Sequence, residues 1–319
     1  IKTQRTSSEA FSFGMRAFEA GQWQKMIDYM QQVATLEPNA ADVLYYIGEG
    51  YRQLNQASEA LKVFNQALAV NPNYAPAYVG RARIRLIKSG QETPARLDLE
   101  EAIRIDPNFT EAYLELASLF LRIEDPGRAA LQMDKAEEIS PESPAVALTR
   151  ARVLLAQGDY DQALQAVDRA LTLDVGYLDA LLLKGQIFQA RGEYAGSIQP
   201  LQSYTAYREE PLVLALLGDA QYRVGRYQEA LATFDRAINL NAKEVNAFIG
   251  RGKVYLELEE GGKALDDFNK AYALQKNNFE VVFGLGRAYL LEGNPAKAYV
   301  NFNAAFNLME TDEEKARLY

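Results

Sequence analysis

The chain has 319 residues, 48% of them hydrophobic and 24% charged, with a formal net charge of -9. This is the composition of a folded chain, and its acidity repels a polyphosphate, so nucleic acid is not expected as a partner. Cysteine and histidine are both absent, which removes disulfides, thiolate nucleophiles, sulfur-ligated zinc and the side chain best suited to proton transfer near neutral pH.

The longest apolar runs, around Leu181 and Leu212, fall far short of the roughly 20 residues that span a bilayer, so no membrane insertion is expected of this segment. The first residue is Ile1, not Met, which gives the expectation of a segment cut or processed from a longer chain, such as the soluble part of an exported or anchored one. No cofactor or metal is expected. Phosphate-binding loops, nucleophile motifs and calcium-loop spacing are not found, so the chain does not read as an enzyme, although it would fit the repeat portion of a larger one.

Residues 1–6 are polar and aperiodic and read as a disordered lead-in. From Ser7 onward, residue types return about every 34 positions. The first unit, 7–40, has Gly14 in a first helix, Gly21 at an inner turn, Trp23 over it and Pro38 closing a second helix. The second, 41–74, repeats this with Gly48, Ala60, Phe64, Ala67 and Pro72, and the third, 75–109, carries one extra residue in its inner turn near 89–93. Units at 110–143 and 144–177 follow.

The sixth, 178–210, departs from the pattern. It is one residue short, puts Ser197 and Tyr204 where alanine usually stands, and holds Pro200 inside its second helix. The missing N–H and the ring clash predict a bend or a delayed helix start, so 197–211 reads as an irregular junction. Units at 211–244, 245–278 and 279–312 return to pattern. Thr311 or Asp312 is then placed to cap a further helix with Glu313 and Glu314 in its first turn, so 313–319 reads as the start of a capping helix.

A steric rule runs through the units. Position eight of each first helix is small (Gly14, Gly48, Ala82, Ala117, Ala151, Gly185, Gly218, Gly252, Gly286), and the second helix answers with alanines such as Ala163 and Ala230. Two helices so furnished can approach closely. Bulky residues on the second helix (Phe64, Leu99, Met133, Phe234, Phe268, Phe302) are then expected to fill the space toward the neighbouring unit.

The beat is plainest in PAVALTRARVLLAQGDYDQALQAVDRALTLDVGY at 144–177, with Ala151, Gly158, Tyr160, Ala163, Val167 and Ala170 at the contact positions. On these residues the chain resembles the tetratricopeptide repeat family over 7–312. The resemblance implies an all-α fold, a right-handed α-solenoid superhelix of antiparallel helix pairs, about nine in number, whose first helices line a concave groove. It also implies a non-catalytic scaffold that holds a peptide or helical segment of a partner protein there.

Mapped onto this sequence, the family's groove positions are two, five, six, nine, twelve and thirteen of each unit. They place Leu148, Arg152, Leu155, Leu182, Gln186, Gln189, Leu212, Leu216, Asp219, Tyr222, Arg223 and Lys253 at the candidate peptide-binding site. Leu148, Leu182, Leu212 and Leu216 would anchor an apolar segment, while Arg152, Arg223 and Lys253 would supply polar selection. The leucines equally suit a role supporting neighbouring helices. The family's carboxylate clamp is missing, since position five is apolar and position six is never Asn in any unit.

Arg81, Arg150, Lys184 and Arg251 recur at position seven. They are expected either to form a basic ladder or to lay their stems on apolar surface with the charge in water. The alternative function is a structural or assembly component that docks through its ends or outer wall, including a homo-oligomer formed through the C-terminal end, where Tyr299, Phe302 and Phe306 lack a following unit.

Overall fold

A computed structural model describes residues 6–309. The proposed capping helix at 313–319 and all of the lead-in except Thr6 lie outside the described residues. Among the described residues there are eighteen α-helices and no strand.

The chain divides into two compact units, Ile1–Asp159 and Tyr160–Tyr319. The first holds α1 (Ser7–Glu19), α2 (Trp23–Leu36), α3 (Ala41–Gln53), α4 (Ala57–Val70), α5 (Ala75–Arg85), α6 (Glu92–Ile105), α7 (Thr110–Arg122), α8 (Pro126–Ile139) and α9 (Pro144–Ala156). The second holds α10 (Tyr160–Leu173), α11 (Leu178–Ala190), α12 (Tyr194–Tyr207), α13 (Pro211–Arg223), α14 (Tyr227–Leu240), α15 (Val245–Glu257), α16 (Gly261–Leu274), α17 (Phe279–Leu291) and α18 (Pro295–Leu308). Within each unit every helix packs on the next, and alternate helices α3, α5, α7 and α9, or α13, α15 and α17, also touch one another. The first helices of successive repeats therefore form one layer, with the second helices behind them.

Local chemistry explains the boundaries. Thr6 caps α1 in a reciprocal pair with Glu9, and Asp125, Ser143, Asn278 and Asn294 accept a backbone N–H at the starts of α8, α9, α17 and α18. Proline opens α8, α9, α13 and α18, where no N–H is needed. Between repeats, Asn71, Asp106, Asp174 and Asn241 each accept from the N–H two residues on, a side-chain turn that reverses the chain. Asn108-Phe109-Thr110 falls in one of these turns, with the Thr110 hydroxyl 2.7 Å from that of Ser140. Every inner turn contains one left-handed residue; in the fourth and eighth repeats it is Glu124 and Glu259, both at φ 58°, where glycine would sit without strain.

The steric rule has a physical basis in the glycines. Phe234 on α14 is fully buried, between Gly218 of its own repeat and Gly250 of the next. A Cβ at these glycines would lie 2.6 and 2.2 Å from the ring. Phe64 sits in the same way between Gly48 and Gly80, and Phe268 between Gly252 and Gly284. In the second, seventh and eighth repeats position 24 is thus a ring clasped by two bare backbones, one from each repeat. Gly250→Ala should lower the melting midpoint. The clash lands on a ring that Gly218 blocks from retreating, and overpacking of about 1–3 kcal/mol outweighs the roughly 1 kcal/mol of helix propensity gained. A midpoint unchanged or raised in a thermal melt would refute the clasp.

At Pro200 the expectation of a delayed start is corrected. Helix α12 begins at Tyr194 and continues through Pro200 to Tyr207. One lost backbone hydrogen bond is outweighed by burying Ile198, Pro200, Leu201 and Tyr204 together on one face.

The cations of position seven neither form a free ladder nor extend into water. Arg150 donates to Asp134, Lys184 to Asp168, Arg251 to Asp235 and Arg81 to Asn65, each partner lying sixteen residues earlier on the preceding second helix. Arg81 and Arg251 also reach their own second helix, where Asp98 and Asp267 are 4% and 2% exposed. The sequence does carry the signal, an acid or amide at position 25 of the unit before. It is missed when each helix is read alone.

Candidate functional site

The clasped rings shape the open face of the second unit. Gly250 and Gly284 stand at position six of α15 and α17, a groove position, and cannot carry a side chain because Phe234 and Phe268 press from beneath. The floor is therefore sunken at both places. One cavity of about 310 Å³ lies between Ala215, Leu216, Ile249 and Gly250, with Leu212 at its mouth and Asp219, Arg223, Lys253 and Glu280 around its rim. A second of about 220 Å³ adjoins it, floored by Phe268 and Gly284 and walled by Tyr222, Phe279, Phe283 and Arg287. Arg223, Lys253 and Glu280 border both.

The rim charges are paired. Lys253 Nζ lies 2.7 Å from Glu280 Oε1, bridging α15 and α17. Arg287 reaches back 3.3 Å to Glu257. Arg223 lies 3.6 Å from Asp219 on its own helix and stacks over Tyr194. Burial, with Glu257 adding to it, holds the Tyr222 phenol above its usual range, and Arg287 and Arg223 oppose the shift. Half-exposed pairs of this kind contribute little to stability and can be re-formed with a ligand.

Five of the twelve residues expected from sequence meet around the larger cavity: Leu212, Leu216, Asp219, Arg223 and Lys253. Tyr222 borders the smaller one. Leu212 is 54% exposed, as an anchor should be. Leu182 and Leu216 are half-buried against the core around Leu201 and Val213, and the Gln189 amide donates to the Leu216 carbonyl at 2.9 Å. Gln189 thus ties α11 to α13, and Gln186 is exposed on α11. The other three lie on α9 in the first unit. Arg152 is exposed and Leu155 half-buried, but Leu148 is only 2% exposed. A side chain so covered has no surface to offer a partner, so Leu148 is a packing residue here rather than an anchor.

Among the residues that sequence reasoning missed are Ala215, Gly250, Gly284 and Glu280. The three small ones matter for the space they leave, a property visible only once the rings beneath them are located.

The corresponding place in the first unit carries an aromatic ring where the second has Ala215. Tyr45, at position five of α3, lies with its ring 6.0 Å from that of Phe64 and 5.9 Å from Tyr74. Arg83 on α5 bonds both Glu115, at 2.8 Å, and Glu111 on α7. Burial, then Glu49 and Glu111, push the Tyr45 phenol well above its usual range, with Arg83 opposing.

Among the described residues no helix is long and apolar enough to cross a membrane, and no group of three acidic residues is placed to hold a metal ion.

Residues 148–211 and 215–279 match one family model of the tetratricopeptide repeat and 41–74 another, together just over half of the chain. Over 79 residues the chain is 37% identical to the TPR repeat-containing thioredoxin TTL4 of Arabidopsis thaliana, and over 115 residues 24% identical to the TPR repeat-containing protein YpiA of Bacillus subtilis (strain 168). These stretches are 25% and 36% of this chain but only 11% and 27% of those proteins. The crystal structure of the APC/C hetero-tetramer Cut9-Hcn1 superposes on 92% of this chain and 58% of its own, with a TM-score of 0.64 and 20% identity, a likeness of fold.

Proposed function

The chain belongs to the tetratricopeptide repeat family, a family of protein-interaction scaffolds, and on that premise we propose that its second unit holds a segment of a partner protein along α13, α15 and α17. The observation that carries this is the pair of adjoining cavities with a half-exposed leucine at the mouth and re-formable ion pairs on the rim. An extended or helical segment laid there would bury Leu212 and Leu216 and exchange its own charges with Arg223, Lys253 and Glu280. Nothing in this arrangement requires a reactive group.

A random linear peptide library panned against the intact chain tests the proposal. Selected peptides should bind the wild type and lose at least tenfold in affinity for Leu212→Asp with Leu216→Asp, since each buried leucine contact is worth about 1–2 kcal/mol. Circular dichroism should report a fold unchanged in the double variant. Peptides that bind both proteins equally would place the working surface elsewhere.

A further inference from the structure

The two units contain one arrangement of ring, glycines and charges twice, and the copies differ most at the residue that covers the ring. In the first, the clasped ring is Phe64 between Gly48 and Gly80; in the second it is Phe234 between Gly218 and Gly250. Position nine of the same repeat is an acid in both, Glu49 and Asp219. Position nine of the next is a cation, Arg83 and Lys253, and position two of the repeat after that is an acid, Glu111 and Glu280. The cation and the second acid are ion-paired in both copies, Arg83 with Glu111 and Lys253 with Glu280. Over this floor and inside these charges the first unit places Tyr45, whereas the second has Ala215, which leaves the cavity of about 310 Å³. The ninth repeat shows the same habit, with Phe283 at position five lying 5.4 Å from Phe302.

We infer that the larger cavity of the second unit receives a tyrosine side chain from the partner segment, seated above Phe234 as Tyr45 is seated above Phe64. The inference rests on the groove proposed above and names its anchor. The ring replaces the contacts that Ala215 does not make. The hydroxyl meets Asp219, Lys253 and Glu280, a set that offers acceptors to its proton and a cation to its oxygen, as Glu49, Arg83 and Glu111 surround the Tyr45 phenol. Phenylalanine fills the same volume but buries a polar rim against a bare ring edge. A phosphotyrosine brings a doubly charged group to a rim whose two cations, Arg223 and Lys253, are already paired with its two carboxylates, Asp219 and Glu280, so the ligand is the unmodified residue. The mouth is more apolar than its counterpart, with Leu212 and Leu216 where the first unit has Asp42 and Tyr46. This suits aliphatic residues flanking the tyrosine.

The peptides selected by panning provide the test. Those that depend on Leu212 and Leu216 should share a tyrosine. Tyr→Phe in the peptide should weaken binding about tenfold, as for one hydrogen bond to a charged group, Tyr→Ala about a hundredfold or more, and phosphorylation more than tenfold. The variant Ala215→Tyr, which supplies the plug internally, should melt no lower than wild type and bind none of them. Independently of any variant, N-acetyl-tyrosinamide titrated into the wild type should shift the methyl resonances of Ile249 and Leu216 saturably, and N-acetyl-leucinamide should not. Peptides that require Leu212 and Leu216 but share no tyrosine, or that prefer phenylalanine, would overturn the tyrosine assignment and leave the groove standing. Peptides indifferent to both leucines would remove the groove itself.

Discussion

Phe234→Ala is expected to destabilise the second unit by about 3–5 kcal/mol, on the order of a 10 °C fall in melting midpoint for a unit of this size. The large value follows from the two glycines. When a buried ring is truncated, neighbouring side chains ordinarily lean into the gap and recover part of the loss, but Phe234 is bordered on two sides by glycine backbone, which has no side chain to lean. Closing the space would need α13 and α15 to move as bodies, and each is fixed by further contacts to its own neighbours. The cavity therefore persists, and its volume adds to the lost transfer energy. In an array whose repeats are stabilised through their neighbours, one such gap weakens two repeats together. Truncating Tyr207, 71% exposed, serves as the control and should leave the midpoint nearly unchanged. A loss below about 1 kcal/mol for Phe234→Ala would mean that the helices collapse onto the space and that the clasp is not a fixed feature.

Arg251→Met is expected to be as damaging, about 3–5 kcal/mol, for an electrostatic reason. The Asp267 carboxylate, 2% exposed, accepts from Arg251 Nε at 2.7 Å and Nη2 at 2.6 Å, and the third nitrogen bridges to Asp235 on α14. Their companionship holds the guanidinium above its usual range despite burial. Methionine reproduces the stem and removes the charge, leaving an anion in the interior without a donor. Were the pair itself the main source of stability, removing both members would be worse than removing one. The expectation is the opposite: Arg251→Met with Asp267→Leu should recover most of the loss, because it discards the desolvated charge along with its partner. Chemical denaturation of the two single variants and the double decides the matter. A double variant no more stable than Arg251→Met would show that the residue acts through packing on Phe248, over which its guanidinium lies at 5.9 Å.

These two residues show how far the sequence could be read. The bulky residue at position 24 and the small residue at position eight were legible because each recurs with the period of the repeat. Their meeting was legible too, since size alone dictates it. The Arg251 partner Asp235 was not, although that residue recurs with the same period, because the bond from Arg251 crosses from one repeat into the helix before it. Reading each repeat as self-contained hides such a bond. The proposed groove was half legible. Leu212 and Leu216, at positions two and six, line the larger cavity, whereas Leu148, at position five, is covered. Position five leans over the second helix of its own repeat, as Tyr45 over Phe64 shows. Its exposure is therefore set by what lies below it and around it rather than by its own chemistry.

The interval between cation and acid has a further consequence. A reach of sixteen residues, found at four of the repeat boundaries, is unaffected by how many repeats precede or follow it. The one surplus residue, in the loop between α5 and α6, stretches the link from Arg81 to Asp98 to seventeen residues, against sixteen for Arg251 to Asp267, and leaves the boundary link from Arg81 to Asn65 at sixteen. Gene duplication or excision in whole repeats would thus carry these links along intact, and small length changes are absorbed where a loop can bulge. A slip of one residue at a boundary would turn the acid away from its cation. Copy number is free to drift in such a lineage while the spacing at each linked joint is held fixed.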